Sequence, residues 1–129
     1  MSDVLTVYHY PKCSSCKDAL AFLRKNEVCF EAIDISQRPP TKQELREMIS
    51  RQGAIRPLFN TSGKSYREGG FSEKVASMSE DEAVEALSRD GMLVKRPFVL
   101  TKDHGLLGFK VEQWSSCFAP LPRRSLQPA

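Results

Sequence analysis

Val4-Leu5-Thr6-Val7-Tyr8-His9-Tyr10-Pro11-Lys12-Cys13-Ser14-Ser15-Cys16-Lys17 is the stretch on which the fold turns. Val4 to Tyr8 is a short, apolar, β-favouring run that stops before Pro11, so a first strand is expected there. From Lys17 to Asn26 the residues Ala19, Leu20, Phe22 and Leu23 fall at helical spacing. Ser14 or Ser15 is suited to cap that helix through a side-chain oxygen. Val28 to Ile35 returns to strand character, with Phe30, Ala32 and Asp34 alternating against Cys29, Glu31, Ile33 and Ile35. Strand, helix and strand in this order predict a right-handed βαβ unit if the strands run parallel.

Working outward, Ser36 to Pro40 is a loop, and Thr41-Lys42-Gln43-Glu44 is a capping box that opens a helix bearing Leu45, Met48 and Ile49 and ending at Gly53. Ile55 to Asn60 predicts one short helix with Pro57 in its first turn. Ser62-Gly63-Lys64 predicts a turn. Ser79-Glu80-Asp81-Glu82 is a second capping box, opening a helix that stops at Gly91. Residues 36 to 92 thus read as a helical insert in an α/β chain. Strands are expected at Phe98 to Thr101 and Leu106 to Phe109, joined by a hairpin turn at Lys102-Asp103-His104-Gly105. Val111, Trp114 and Phe118 then place a last helix over the sheet. The expected domain is 1–118, with 119–129 a proline-rich, mobile tail. A small mixed sheet with helices on its faces fits this order.

Composition narrows the function. The 129 residues suffice for one core; they are 40% hydrophobic and 27% charged, as in an ordinary globular chain. A formal net charge of +3 is too small and dispersed for direct nucleic-acid binding. No apolar run approaches the ~20 residues of a membrane span, and no secretory signal is visible at the N-terminus. With four cysteines the expectation is a cytoplasmic protein holding reduced thiols.

A C-x-x-C after a strand and at the start of a helix has a physical use. The helix N-terminus offers unpaired N–H groups and positive partial charge to the first sulfur, favouring its thiolate, and Lys12 and Lys17 add charge of the same sign. Cys16, one turn on, can attack a disulfide formed at Cys13. Zinc would need two further ligands, yet Cys29 is expected in a strand, Cys117 in the last helix, and His9 and His104 lie far apart in sequence. Thiol chemistry without a metal is therefore expected, with Cys29 and Cys117 read as buried small hydrophobes. His9 ends the first strand, either close enough to support the Cys13 thiolate or facing solvent. Lys95-Arg96-Pro97-Phe98 precedes the third strand, and Arg96 could aim a planar, five-donor guanidinium at an anion attacked by Cys13.

Taken in order, Tyr8-His9-Tyr10-Pro11-Lys12-Cys13, Arg38-Pro39-Pro40-Thr41-Lys42-Gln43-Glu44-Leu45, Leu58-Phe59-Asn60-Thr61-Ser62-Gly63, Tyr66-Arg67-Glu68, Gly91-Met92-Leu93-Val94-Lys95-Arg96-Pro97 and Leu107-Gly108-Phe109 resemble the arsenate reductase-related proteins of thioredoxin fold, the group that also contains the Spx-type transcription regulators. The resemblance spans roughly residues 4 to 118. It implies a thioredoxin-like α/β fold with a four-stranded mixed sheet, Cys13 as nucleophile, His9 near it, and Arg96 and a cis Pro97 at an oxyanion site. Efficient glutaredoxin-coupled arsenate reductases carry a second arginine in the segment of Asn60 and a third near Phe109; one guanidinium in place of three implies weak oxyanion binding. They also lack a cysteine at the position of Cys16, whereas Spx-type redox switches have one. Two activities follow as expectations. One is a thiol-dependent reductase acting on a small oxyanion or a disulfide, with no bound cofactor and with glutathione and glutaredoxin, or thioredoxin, as electron donor. The other is an Spx-like redox sensor that binds RNA polymerase.

Overall fold

The computed structural model describes residues 4–118, so the expected mobile tail lies outside the described residues. Strand β1 (Leu5–His9) is followed by helix α1 (Ser14–Lys25) and strand β2 (Phe30–Asp34). β1 and β2 pair in parallel, Leu5 opposite Phe30 and His9 opposite Asp34, which makes the opening segment the expected βαβ unit. Strands β3 (Phe98–Leu100) and β4 (Gly105–Leu107) complete a mixed sheet in the order β2-β1-β3-β4, with β3 antiparallel to both neighbours. The four-stranded α/β architecture expected for a thioredoxin-like fold is therefore present.

Alternation along the strands sends side chains to two separate cores. Val7, Val99 and Leu106 meet α1 through Ala19, Leu20 and Leu23, and meet α6 (Val111–Phe118) through Trp114 and Phe118. Tyr8 and Phe98 face the other way, against α2 (Lys42–Gln52), the turn at Leu58 and Phe59, and α5 (Glu80–Arg89). Val111 departs from the expected apolar stripe: it opens α6 and is exposed, leaving the packing to Trp114 and Phe118.

Both capping boxes form. Thr41 accepts from the Glu44 amide while Glu44 reaches back to the Thr41 amide, and Ser79 and Glu82 repeat the exchange at α5. Glu44 also accepts a 2.6 Å hydrogen bond from the Tyr8 hydroxyl, fastening the start of α2 to the central strand.

The insert is richer than its sequence pattern. Helices α3 (Lys64–Glu68) and α4 (Phe71–Lys74) occupy a region in which only the turn at Ser62 to Lys64 was expected. At five and four residues they are too short for a 3.6-residue period to register. Their Tyr66 and Phe71 rings stack at 6.1 Å and flank Phe59. The helix expected over Ile55 to Asn60 shrinks to one 3₁₀ turn, Arg56–Leu58, because Phe59 leaves it to form an antiparallel bridge with Val94. The Asn60 amide donates to the Leu93 carbonyl at 2.7 Å and the Lys95 amide to the Leu58 carbonyl at 2.8 Å. This ladder joins the first part of the insert to the segment that enters β3.

At Gly91 the insert lies tight against the end of the βαβ unit: a Cβ there would stand 1.9 Å from the Ile35 carbonyl oxygen, inside the van der Waals limit. Gly91→Ala should therefore cost about 1–3 kcal/mol by overpacking. It should lower the melting temperature by roughly 4–12 °C, measured by circular dichroism; an unchanged melting temperature would mean that the two segments part without cost.

The closing hairpin is shifted from its expected bounds. Thr101 leaves the strand because its Oγ1 accepts the amides of Asp103 and His104 at 3.2 and 2.8 Å, while Gly105 pairs with Leu100 as the first residue of β4. Gly108 ends β4 early: it sits at φ +76°, and its amide donates to the Pro97 carbonyl at 2.9 Å.

Candidate active site

Cys13, not Ser14 or Ser15, is the N-cap of α1. Its backbone is extended (φ −95°, ψ 120°), and its Sγ accepts the Cys16 amide at 3.4 Å, as a serine oxygen does in an ordinary cap. Ser14 and Ser15 are displaced into the first turn, where Ser15 Oγ lies 3.2 Å from Cys13 Sγ. The first turn of α1 holds no acidic residue to oppose a thiolate.

The two cysteines sit in different environments. Both are free thiols; Cys13 is half-buried, while Cys16 is 1% exposed. Burial alone would raise the Cys13 thiol, but hydrogen bonds from Ser15 and from the Cys16 thiol and amide, with the Arg96 charge, outweigh it and hold the thiol below the usual range. Cys16 is pushed up to about 12, by burial first and then by its hydrogen bond to Cys13, although the Tyr10 amide donates to its sulfur at 3.5 Å. Near neutral pH the pair therefore presents one thiolate-prone sulfur and one protonated sulfur.

Arg96 supplies the cation beside them. The Arg96–Pro97 peptide bond is cis, as the family resemblance implied for Pro97. The guanidinium lies over the Tyr10 ring, 5.1 Å from its centroid, and Nη1 donates to the Met92 and Val94 carbonyls at 3.3 and 3.5 Å. Nε is buried and makes no hydrogen bond among the described residues. Lys12 and Lys17, expected to favour the thiolate, are exposed and are not among the groups that shift Cys13; Arg96 takes that part across the fold. His9 closes β1 opposite Asp34, and its charge helps to lower that carboxyl, after the hydrogen bond from Ser36. Asn60 accepts a 3.4 Å hydrogen bond from Ser62, and its neighbour Thr61, rather than Asn60, lines the cleft next to Arg96. Cys29 is exposed just before β2 and Cys117 is half-buried in α6, so neither is the buried hydrophobe expected from residue type. Burial raises the Cys117 thiol, the direction opposite to Cys13.

Sequence reasoning missed Tyr10 and Ser15 as partners of the site. Their only sequence signal is position: Tyr10 precedes the cysteine loop, and Ser15 lies within it between Cys13 and Cys16. Among the described residues no group of three or more His, Cys, Asp or Glu side chains could hold a metal ion. A cavity of about 460 Å³, lined in part by Val4, Leu5, Cys29 and Phe118, lies at the Leu5 end of β1, and neither Cys13 nor Cys16 lines it.

Arg96 should be the main remote contributor to the Cys13 thiolate. Alkylation by neutral iodoacetamide, followed against pH, should saturate below the pH of an ordinary thiol, since only thiolate reacts and its fraction is already high there. Arg96→Gln should move the midpoint upward; an unmoved midpoint would show that the local hydrogen bonds suffice.

The arrangement matches a known group. A model of the ArsC family matches residues 8–117. The chain belongs to the ArsC family. The Bacillus subtilis (strain 168) protein YusI, described as uncharacterized, is 40% identical over 116 residues, covering 89% of this chain and 98% of its own. The crystal structure of a protein described as ArsC family related from Bacteroides fragilis superposes with a TM-score of 0.81 at 36% identity, covering 88% of this chain and 98% of that one. More distant are the global transcriptional regulator Spx of Streptococcus agalactiae serotype V, 29% identical with 85% of this chain and 80% of its own covered, and the arsenate reductase of Escherichia coli (strain K12), 28% identical with 75% and 68% covered. This ArsC-family chain is thus related to both arsenate reductases and Spx regulators. No helix among its described residues is long and apolar enough to cross a membrane.

Proposed function

We propose that this ArsC-family protein is a thiol-dependent oxidoreductase in which Cys13 is the nucleophile, Cys16 the resolving thiol and Arg96 the cation that steadies the anionic intermediate. The contrast between the two sulfurs supports the reading most directly: Cys13 is accessible and held low, while Cys16 is buried and raised to about 12. A nucleophile must be partly ionised and reachable, whereas a resolving thiol has to act only after a bond has formed next to it. Cys13 attacks an electron-poor centre, arsenic in an oxyanion or sulfur in a disulfide. Cys16, or glutathione, then displaces the product. Glutathione with glutaredoxin, or thioredoxin, returns the electrons.

The second reading is an Spx-like regulator whose Cys13–Cys16 disulfide is a sensor for RNA polymerase binding. Its specific support is the regulator relative, which is as similar as the reductase and covers more of the chain. Turnover of a disulfide in the presence of a recycling reductant, measured beside retention of purified RNA polymerase on the immobilised protein, separates the two. Turnover without retention carries the reductase reading; retention that depends on oxidation of the pair, without turnover, carries the regulator.

Arsenate reduction should be weak in either case. Each missing guanidinium forfeits charge-assisted hydrogen bonds of ~1.5–3 kcal/mol, about tenfold or more in affinity. Arg96→Ala should remove most of the activity that remains. Steady-state kinetics with glutathione and glutaredoxin at fixed salt test this, and a silent Arg96→Ala would place the oxyanion elsewhere.

A further inference from the structure

Beside Cys13 lies a cleft of about 540 Å³, bounded by the 3₁₀ turn at Arg56–Leu58, the segment entering β3, and the chain from Leu107 to Lys110. Four cations line it: Arg56, Lys95, Arg96 and Lys110. No Asp or Glu does. None of the four makes an ion pair among the described residues, whereas Lys42, Arg46, Arg51 and Arg89 are all paired with carboxylates elsewhere. Cys13 itself does not line the cleft, but Ser15, whose hydroxyl lies 3.2 Å from the Cys13 sulfur, belongs to its wall and links the reactive atom to it. Pro57, Phe59, Leu107 and Phe109 give it an apolar side.

A bare oxyanion needs one small nest of donors around its oxygens. This cleft is instead roomy, half apolar, and cationic at points contributed by three separated segments. Those features suit a molecule with a short carbon skeleton and more than one carboxylate. Building on the reductase reading, we propose that the cleft is the leaving-group subsite for low-molecular-weight disulfides whose thiol halves carry carboxylates. The Cys13 thiolate attacks one sulfur, the Cys13–S bond forms as the S–S bond breaks, and the anionic thiol departs with the electron pair. The Cys16 thiol then loses its proton to solvent and attacks Cys13 Sγ, expelling the second thiol. The substrate gains two electrons, the protein is left as the Cys13–Cys16 disulfide, and an external dithiol reduces it. The cations hold the carboxylates during the first attack and offset the negative charge that gathers on the three sulfurs.

Three small symmetric disulfides test this: dianionic 3,3′-dithiodipropionate, neutral bis(2-hydroxyethyl) disulfide and dicationic cystamine, with the rate of Cys13 oxidation as readout. At low salt the dianion should react about tenfold or more faster than the dication, with the neutral compound between them, and the spread should shrink as salt rises. Lys95→Gln and Lys110→Gln should each cut the dianion-to-neutral ratio by about two- to fivefold. Lys25→Gln, which removes the same charge at the far end of α1, should leave the ratio alone. Equal rates for the three compounds, or an equal loss of ratio in Lys25→Gln, would overturn the subsite while leaving the thiol chemistry standing. If even the neutral disulfide fails to oxidise Cys13, the reductase reading falls and the subsite falls with it.

Discussion

Cys13→Ser should abolish disulfide turnover, lowering it by on the order of a thousandfold or more, whereas Cys16→Ser should still complete the first attack and then stall. The difference follows from where the sulfurs sit. Cys13 Sγ caps α1 and receives the Cys16 amide, so the helix terminus, Ser15 and Arg96 all favour its ionised form. Cys16 is enclosed and protonated, and it becomes a useful nucleophile only when a disulfide at Cys13 is one turn away. Mass spectrometry of Cys16→Ser after exposure to a small disulfide should show one adduct on Cys13. The wild-type protein should instead show the internal Cys13–Cys16 bridge. An adduct on exposed Cys29, or a bridge from Cys13 to Cys117, would give the resolving step to another residue. Serine at 13 can still cap the helix, so the loss would be chemical rather than structural.

Trp114→Ala should be among the most destabilising single changes in the protein. The indole is fully buried, lies 5.0 Å from Phe109 and 5.9 Å from Phe118 between ring centroids, and donates from Nε1 to the Gly108 carbonyl at 3.1 Å. Removing it leaves a large void under the β1–β3 face and an unpaired buried carbonyl, for a cost of ~3–5 kcal/mol. The melting temperature should fall by roughly 12–20 °C. Trp114→Phe keeps one ring and loses the hydrogen bond and part of the indole volume, so it should cost clearly less. If the two substitutions cost the same, the hydrogen bond to Gly108 rather than ring packing dominates. Because Gly108 and Phe109 also border the cationic cleft, this core residue supports the cleft wall from behind.

The sequence by itself determined what is encoded within a turn or two of chain. The helical stripe after the first strand, the C-x-x-C at the head of that helix, the capping boxes at Thr41 and Ser79 and the stop at Gly53 each depend on neighbours no more than about four residues away, where helical period and cap chemistry act. The motif resemblance added the family and the cis Pro97. Tertiary structure decided the rest. A sequence offers Ser14 and Ser15 as better capping residues than a cysteine, yet in the folded chain Cys13 takes the cap. Lys12 and Lys17 are nearest to Cys13 in sequence, yet Arg96 is the cation that shifts it, because β1 and β3 are adjacent in the sheet and bring residues 83 positions apart side by side. The same applies to the cleft: Arg56 and Lys95 are joined by the Phe59–Val94 bridge, and Lys110 arrives from beyond β4. Electrostatic interaction depends on distance through space, and neither periodicity nor spacing carries that distance across a sheet.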